Sequence, residues 1–265
     1  MPEWLAVVVL GVVEGITEFL PVSSTGHLLL VENSRLLPAQ SELFNVVIQA
    51  GAVLAVFLVF SRRVKELALR LHDRETRDYL LKLALAFAIT AVGGLAAKKA
   101  GFALPKDTWP VAWATLVGGV LILVIERSVR RRPLGTRITW TIAVAVGLAQ
   151  LLAAVFPGTS RSGATILAAL LLGLNRPVAT EFSFIVGIPT MLAAGGLKIF
   201  KALHHPLPGT PSEHWKLVLL GTLVSAAVSF VAVRWLLRYV QTHTFNAFGW
   251  YRIALGLVLF ALLWR

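Results

Sequence analysis

The chain has 265 residues, 57% of them hydrophobic and only 14% charged, with a mean hydropathy of +0.78; soluble domains average about 25% charged residues, so the composition excludes an ordinary water-soluble globule. Lys and Arg outnumber Asp and Glu by 25 to 13, a net charge of +12, but much of the excess lies in short loops that would face anionic lipid headgroups, so no nucleic-acid partner is expected. No cysteine is present, which removes disulfides, thiolate metal sites and cysteine nucleophiles.

The first hydrophobic region, 4–35, contains the run EGITEFLPVSSTGH at 14–27. It has no basic leading segment, and glutamates interrupt its apolar run, so it is expected to belong to the mature protein rather than to a signal peptide. Pro21 and the polar residues after it should break it into two half-helices. Ionisable groups at membrane depth cost about 2.5–3.5 kcal/mol each on insertion and usually face a cavity with a function, so Glu14, Glu18, Ser23, Ser24, Thr25 and His27 form a candidate site. Glu14 and Glu18 are spaced i, i+4 on one helix face, where two carboxylates repel unless a cation or a proton lies between them. A divalent metal and an acid/base role both satisfy that spacing. His27 follows Ser24 by about one turn, a nucleophile-and-base arrangement in which either residue can attack; serine needs a base, which His27 or a glutamate could be, and Ser24 assisted by His27 is the preferred reading.

Full spans of about 20 apolar residues are expected near 43–60, 80–100, 109–126, 178–200, 216–237 and 247–264. A second broken region covers 138–174. Its break, PGTSRSGAT at 157–165, sets Arg161 among the hydroxyls Thr159, Ser160, Ser162 and Thr165. Arginine presents a fork of donors that matches phosphate oxygens, and Ser160 can cap a half-helix whose first N–H groups point at an anion.

The two broken regions align on their prolines, 136 positions apart: Gly11 falls on Gly147, Glu14 on Gln150, Pro21 on Pro157 and Ser24 on Ser160. Glu42 and Glu181 open corresponding spans and are read as structural charges at helix N-termini. Three spans lie between the copies, so two re-entrant pairs would make an inverted repeat with a midplane site. The expected architecture is an all-α integral membrane protein of six transmembrane helices plus two re-entrant helix pairs. It is a single membrane domain, 1–265, with repeats of about 1–126 and 138–265 joined by the basic loop 127–137.

Basic residues in short loops set the orientation. Residues 61–78 hold Arg62, Arg63, Lys65, Arg70, Arg74 and Arg77, and 127–137 hold Arg127, Arg130, Arg131, Arg132 and Arg137. Both loops should be cytoplasmic, with 98–108 (including Lys106), 201–215 and the termini outside. His204, His205 and His214 form no firm metal pattern and are read as solvent-facing.

At these residues the chain resembles a known family, the undecaprenyl pyrophosphate phosphatases (BacA/UppP). The resemblance rests on EGITEFLPVSSTGHL at 14–28, FNVVIQAGAVLAV at 44–56, PGTSRSGAT at 157–165, EFSF at 181–184 and FGWYRIALG at 248–256. The family's glutamate-rich motif falls on Glu14 and Glu18, its serine and histidine on Ser24 and His27, and its PGxSRSxxT motif on Ser160, Arg161, Ser162 and Thr165. The departure is Asn45, where the resemblance leads one to expect an acid.

The resemblance implies hydrolysis of undecaprenyl pyrophosphate to the monophosphate and inorganic phosphate at the bacterial inner membrane. The site is expected to open to the outer (periplasmic) side, and bacitracin resistance is the associated phenotype. For that reaction Ser24, His27, Glu14, Glu18 and Arg161 are read as catalytic, with Ser160, Arg161, Ser162 and Thr165 of the matched motif on the substrate, joined by Ser23 and Thr25 of the polar run. A divalent cation, Mg²⁺ or Ca²⁺, would rest on Glu14 and Glu18. The alternative is a transporter or flippase that binds the same lipid phosphate without cleaving it. Monomer and homodimer both remain open.

Overall fold

The computed structural model describes residues 2–33, 37, 40–101, 108–204 and 213–264; Lys106 and His205 lie outside the described residues. Among the described residues every regular element is a helix: α1 Glu3–Thr17, α2 Ser24–Asn33, α3 Glu42–Val59, α4 Ser61–Leu69, α5 Arg74–Lys99, α6 Trp109–Val129, α7 Trp140–Val155, α8 Arg161–Leu171, α9 Arg176–His204, α10 Trp215–Thr242 and α11 Asn246–Leu263. Among the described residues six helices, α3, α5, α6, α9, α10 and α11, are long and apolar enough to cross a membrane, the six expected from the sequence. Large apolar side chains such as Leu58, Val92, Val231 and Leu257 point outwards. Such a surface is unfavourable in water and suited to lipid.

Both broken regions fold as helix pairs. α1 has 15 residues and α7 has 16; at about 1.5 Å per residue each falls short of a ~30 Å hydrocarbon core. The breaks occur at 18–23 and 156–160, around Pro21 and Pro157. Hydroxyls close the ends where the backbone runs out of partners: Ser41 caps α3 through Phe44 N (3.0 Å), Thr139 caps α7 through Ile142 N (3.2 Å) and Ser160 caps α8 through Gly163 N (3.2 Å).

The pairings of helices exchange between the two halves of the chain. α1 packs on α10 while α7 packs on α5; α3 packs on α9 and α6 on α11. Small residues let these backbones close up. A Cβ on Gly11 would sit 2.8 Å from Gly221 O, and one on Gly147 would sit 2.8 Å from Ala86 O.

Two departures from the expected loops have physical causes. Residues 61–69 are helical, because Leu67 buries itself while Arg62, Lys65 and Glu66 stay exposed, an amphipathic pattern suited to an interface. The loop after α6 is pinned to the turn between α8 and α9: Gly135 N donates to Gly173 O and Asn175 N to Gly135 O, both at 2.8 Å.

Candidate active site

The tips of the two helix pairs meet inside the bundle. Ser162 Oγ of the second break donates to backbone carbonyls of the first, Glu18 O at 3.2 Å and Leu20 O at 3.0 Å. Beside this junction is a cavity of about 210 Å³ lined by Glu18, Ser24 and Thr25 from one tip and by Gly158, Ser160 and Arg161 from the other, with Gln49, Gln150 and Thr190 completing its polar wall.

Glu18 is 8% exposed and is the hub of the cavity. Its Oε1 accepts from Arg161 Nη2 at 2.9 Å, and its Oε2 accepts from Ser24 Oγ at 2.9 Å. One carboxylate thereby fixes a hydroxyl from the first break and a guanidinium from the second. Arg161 fits because residue 187 is glycine: a Cβ there would run into its Nη1. The Phe19 ring, its centroid 5.9 Å from the Arg161 Cζ, adds a cation–π contact.

Glu14 is fully buried, and neither carboxylate oxygen has a hydrogen-bond partner. A buried carboxylate in that state needs a cation or a proton. Among the described residues no group of three His, Asp or Glu side chains surrounds a common point, so the protein would offer an ion two carboxylates at most.

His27 is brought near but turned aside. Its Nδ1 lies 2.8 Å from Ser23 O and its Nε2 2.6 Å from Tyr251 Oη. A carbonyl only accepts, so Nδ1 carries the proton in this arrangement and neutral Nε2 accepts from the tyrosine. The Ser24 hydroxyl therefore donates to Glu18, one of the two candidate bases, and not to His27. Three of the proposed substrate contacts also fall elsewhere. Ser23 is 1% exposed and its Oγ accepts from Gly26 N; Ser162 is tied to the first tip; Thr165 Oγ1 donates back to Arg161 O at 2.8 Å. None of the three lines the cavity; Ser162 ties the two tips together, while Ser23 and Thr165 each brace their own.

The alignment of the copies also shifts. Ser23 and Ser160 are the two non-glycine residues with positive φ among the described residues, 72° and 67°, and each caps the glycine three residues on, Gly26 and Gly163, at 3.2 Å. Ser160 thus corresponds to Ser23 rather than to Ser24, with one extra residue in the second break. Arg161 consequently falls opposite Ser24, so the two side chains that Glu18 holds occupy equivalent places on the two tips.

Composition alone did not single out Gln49, Gln150, Tyr251 or Arg252. Gln150 was legible as the counterpart of Glu14, and its Nε2 lies 3.3 Å from Thr90 Oγ1. Arg252 is 1% exposed and was legible as a charge within an apolar span. Glu42 and Glu181 sit outside the cavity, paired with Lys198 at 2.5 Å and Arg63 at 3.5 Å.

The family model described as "Bacitracin resistance protein BacA" matches residues 7–258. The chain belongs to this family. It is 49% identical over 258 residues to a protein of Rhizobium etli, covering 97% of this chain and 96% of the relative. It is 50% identical over 260 residues to one of Xylella fastidiosa, covering 98% of each, and 49% identical over 265 residues to one of Xanthomonas oryzae pv. oryzae, covering 100% and 98%. All three relatives bear the name undecaprenyl-diphosphatase. Family membership therefore extends over the tips, the cavity and the spans that carry them.

Proposed function

We propose that this BacA-family protein hydrolyses undecaprenyl diphosphate to undecaprenyl phosphate and inorganic phosphate. The observation that carries the reading is Glu18 holding Ser24 Oγ and Arg161 Nη2 on its two oxygens at the cavity wall. A hydroxyl paired with a base, with a guanidinium on the far side, serves phosphoryl transfer, where positioning and charge stabilisation do most of the work. The transporter reading needs the arginine but gives the Ser24–Glu18 pair no task.

In this mechanism Ser24 Oγ attacks the terminal phosphorus and passes its proton to Glu18. The P–O bond to the lipid phosphate breaks and the departing phosphate oxygen takes the proton from Glu18, leaving undecaprenyl phosphate, a phosphoserine and an ionised Glu18. Glu18 then returns as base for a water molecule, which displaces Ser24 Oγ and releases phosphate. Arg161 binds the non-bridging oxygens throughout, beside the N-terminus of α8. His27 holds the turn at Ser23 and orients Ser24.

The unpartnered Glu14 carboxylate next to Glu18 suits a divalent cation, which would complete its shell with phosphate oxygens and water, as Mg²⁺ commonly does. When bound, the ion supplies neutralisation of charge on the phosphoryl oxygens.

Orientation follows from the basic segments, with 61–78 and 127–137 on the cytoplasmic side of the bacterial inner membrane. The cavity-lining Val46 and Gln49 then fall in the outer half of α3, and Met191 and Ala194 in the outer half of α9, with Thr190 at its midpoint, which favours an opening to the periplasmic side. The exchange of helix partners between the two halves supports an inverted repeat of about 1–126 and 138–265, with α1–α2 entering from outside and α7–α8 from inside.

The test is phosphate release from a polyprenyl diphosphate by the purified protein. Arg161→Ala should lose about 2.7–4 kcal/mol of transition-state stabilisation, the value of one oxyanion donor. Activity within tenfold of the unaltered protein would remove Arg161 from the role, and no phosphate release at all would overturn the reaction.

A further inference from the structure

Tyr251 and Arg252 are consecutive residues of α11, and each grips a different tip. Tyr251 Oη lies 2.6 Å from His27 Nε2, with the two rings parallel within 8°, and His27 in turn is bonded to the Ser23 carbonyl. Arg252 Nη1 donates to Thr159 O and Nη2 to Gly158 O, both at 3.0 Å. Its other bonds anchor it to α6, Nε to Thr115 O at 3.2 Å and Nη2 to Ala114 O at 2.9 Å. Neighbouring residues on a helix point about 100° apart, which lets one dipeptide reach two tips.

Arg252 is buried to 1% exposure, and among the described residues no carboxylate pairs with it. Burying an arginine without a counterion is costly. That cost is offset here by four carbonyl acceptors, two of them in the turn that presents Ser160 and Arg161. The space it occupies is kept by glycine: a Cβ on Gly118 would overlap the guanidinium, and one on Gly163 would lie 3.3 Å from Nη1. Neither Tyr251 nor Arg252 lines the cavity.

We propose that Tyr251 and Arg252 are positioning residues that set the two tips in register, so that Ser24 and Arg161 reach the same phosphate. The inference rests on the reaction proposed above, but its geometry can be tested apart from it.

Amide hydrogen exchange on the full chain in nanodiscs, with Tyr251→Phe, Arg252→Lys and Gly118→Val, supplies that test. Arg252→Lys should speed exchange in 157–163 and leave 22–28 unchanged, and Tyr251→Phe should do the reverse, because local opening reports local bonds. Unchanged exchange in α5 controls for folding. Gly118→Val, which leaves Arg252 in the chain but takes its space, should reproduce Arg252→Lys. In the phosphate-release assay both α11 variants should lose about tenfold to a hundredfold in kcat, as small misplacements do. KM should stay within about threefold, since they make no substrate contact. Both tips loosening together in either variant, or neither loosening, would overturn the proposal. If the unaltered protein releases no phosphate, the reaction fails while the exchange pattern still decides the register.

Discussion

Glu18 and Arg161 are 143 residues apart in the chain and 2.9 Å apart in the fold, a largely buried ion pair that joins the two broken helix pairs. Because Glu18 also accepts the Ser24 hydroxyl, the pair holds the proposed nucleophile and fixes the distance between the halves of the site. Glu18→Gln keeps the shape and removes the charge, and should lower kcat by about 10²–10⁴-fold, the range for loss of a general base. Phosphate release by the purified variant measures this; retention of a tenth of the activity would mean that another group takes the proton.

Ser24 and His27 should separate in the same assay. Ser24→Ala removes the attacking atom and should leave activity at background. His27→Ala frees the Ser23 carbonyl and Tyr251 but spares the hydroxyl, so a loss of about tenfold to a hundredfold is expected, the cost of misplacement. The opposite order would make the histidine the nucleophile.

Glu14 should tie activity to a cation. Chelator should abolish phosphate release and added Mg²⁺ restore it. Glu14→Gln should need on the order of tenfold or more Mg²⁺ for half-activation, because ligand charge sets affinity. Full activity in chelator would leave the Glu14 carboxylate a proton carrier instead.

Gly187 separates stability from activity. Gly→Ala inside a helix gains up to about 1 kcal/mol of propensity, yet the new methyl would enter the space of Arg161 Nη1. Gly187→Ala should melt close to the unaltered protein while losing about tenfold or more in activity. Unchanged kinetics would show that Arg161 relocates without penalty.

Glu126 supplies the converse. It is 2% exposed, accepts from Arg176 Nε at 2.9 Å and from Phe245 N at 2.7 Å, and lies away from the cavity. Glu126→Ala leaves the buried Phe245 N–H and the partly exposed Arg176 guanidinium without their acceptor and should cost about 1–3 kcal/mol of stability, read as a lower melting temperature. Specific activity of the folded fraction should be unchanged.

The membrane class, the six spans, the two breaks and the segments that carry the site are all properties of local sequence. Runs of apolar residues select lipid wherever they fold, Pro21 and Pro157 interrupt helices in any context, and buried charge is conspicuous against a chain with so little of it. Even the capping of α8 by Ser160 was legible, because a cap acts over three residues. Direction of side chains was not. Ser162 and Thr165 turn inward and His27 turns to Tyr251 because Ser23 and Ser160 take positive φ and the second break carries one extra residue. Those details are settled only when the two tips press against each other and against α11. Hydropathy and spacing thus determined which segments meet in the membrane; tertiary packing alone decided which atoms face the cavity, since the partners that aim them, Arg161 for Glu18 and Tyr251 for His27, come from the second half of the chain.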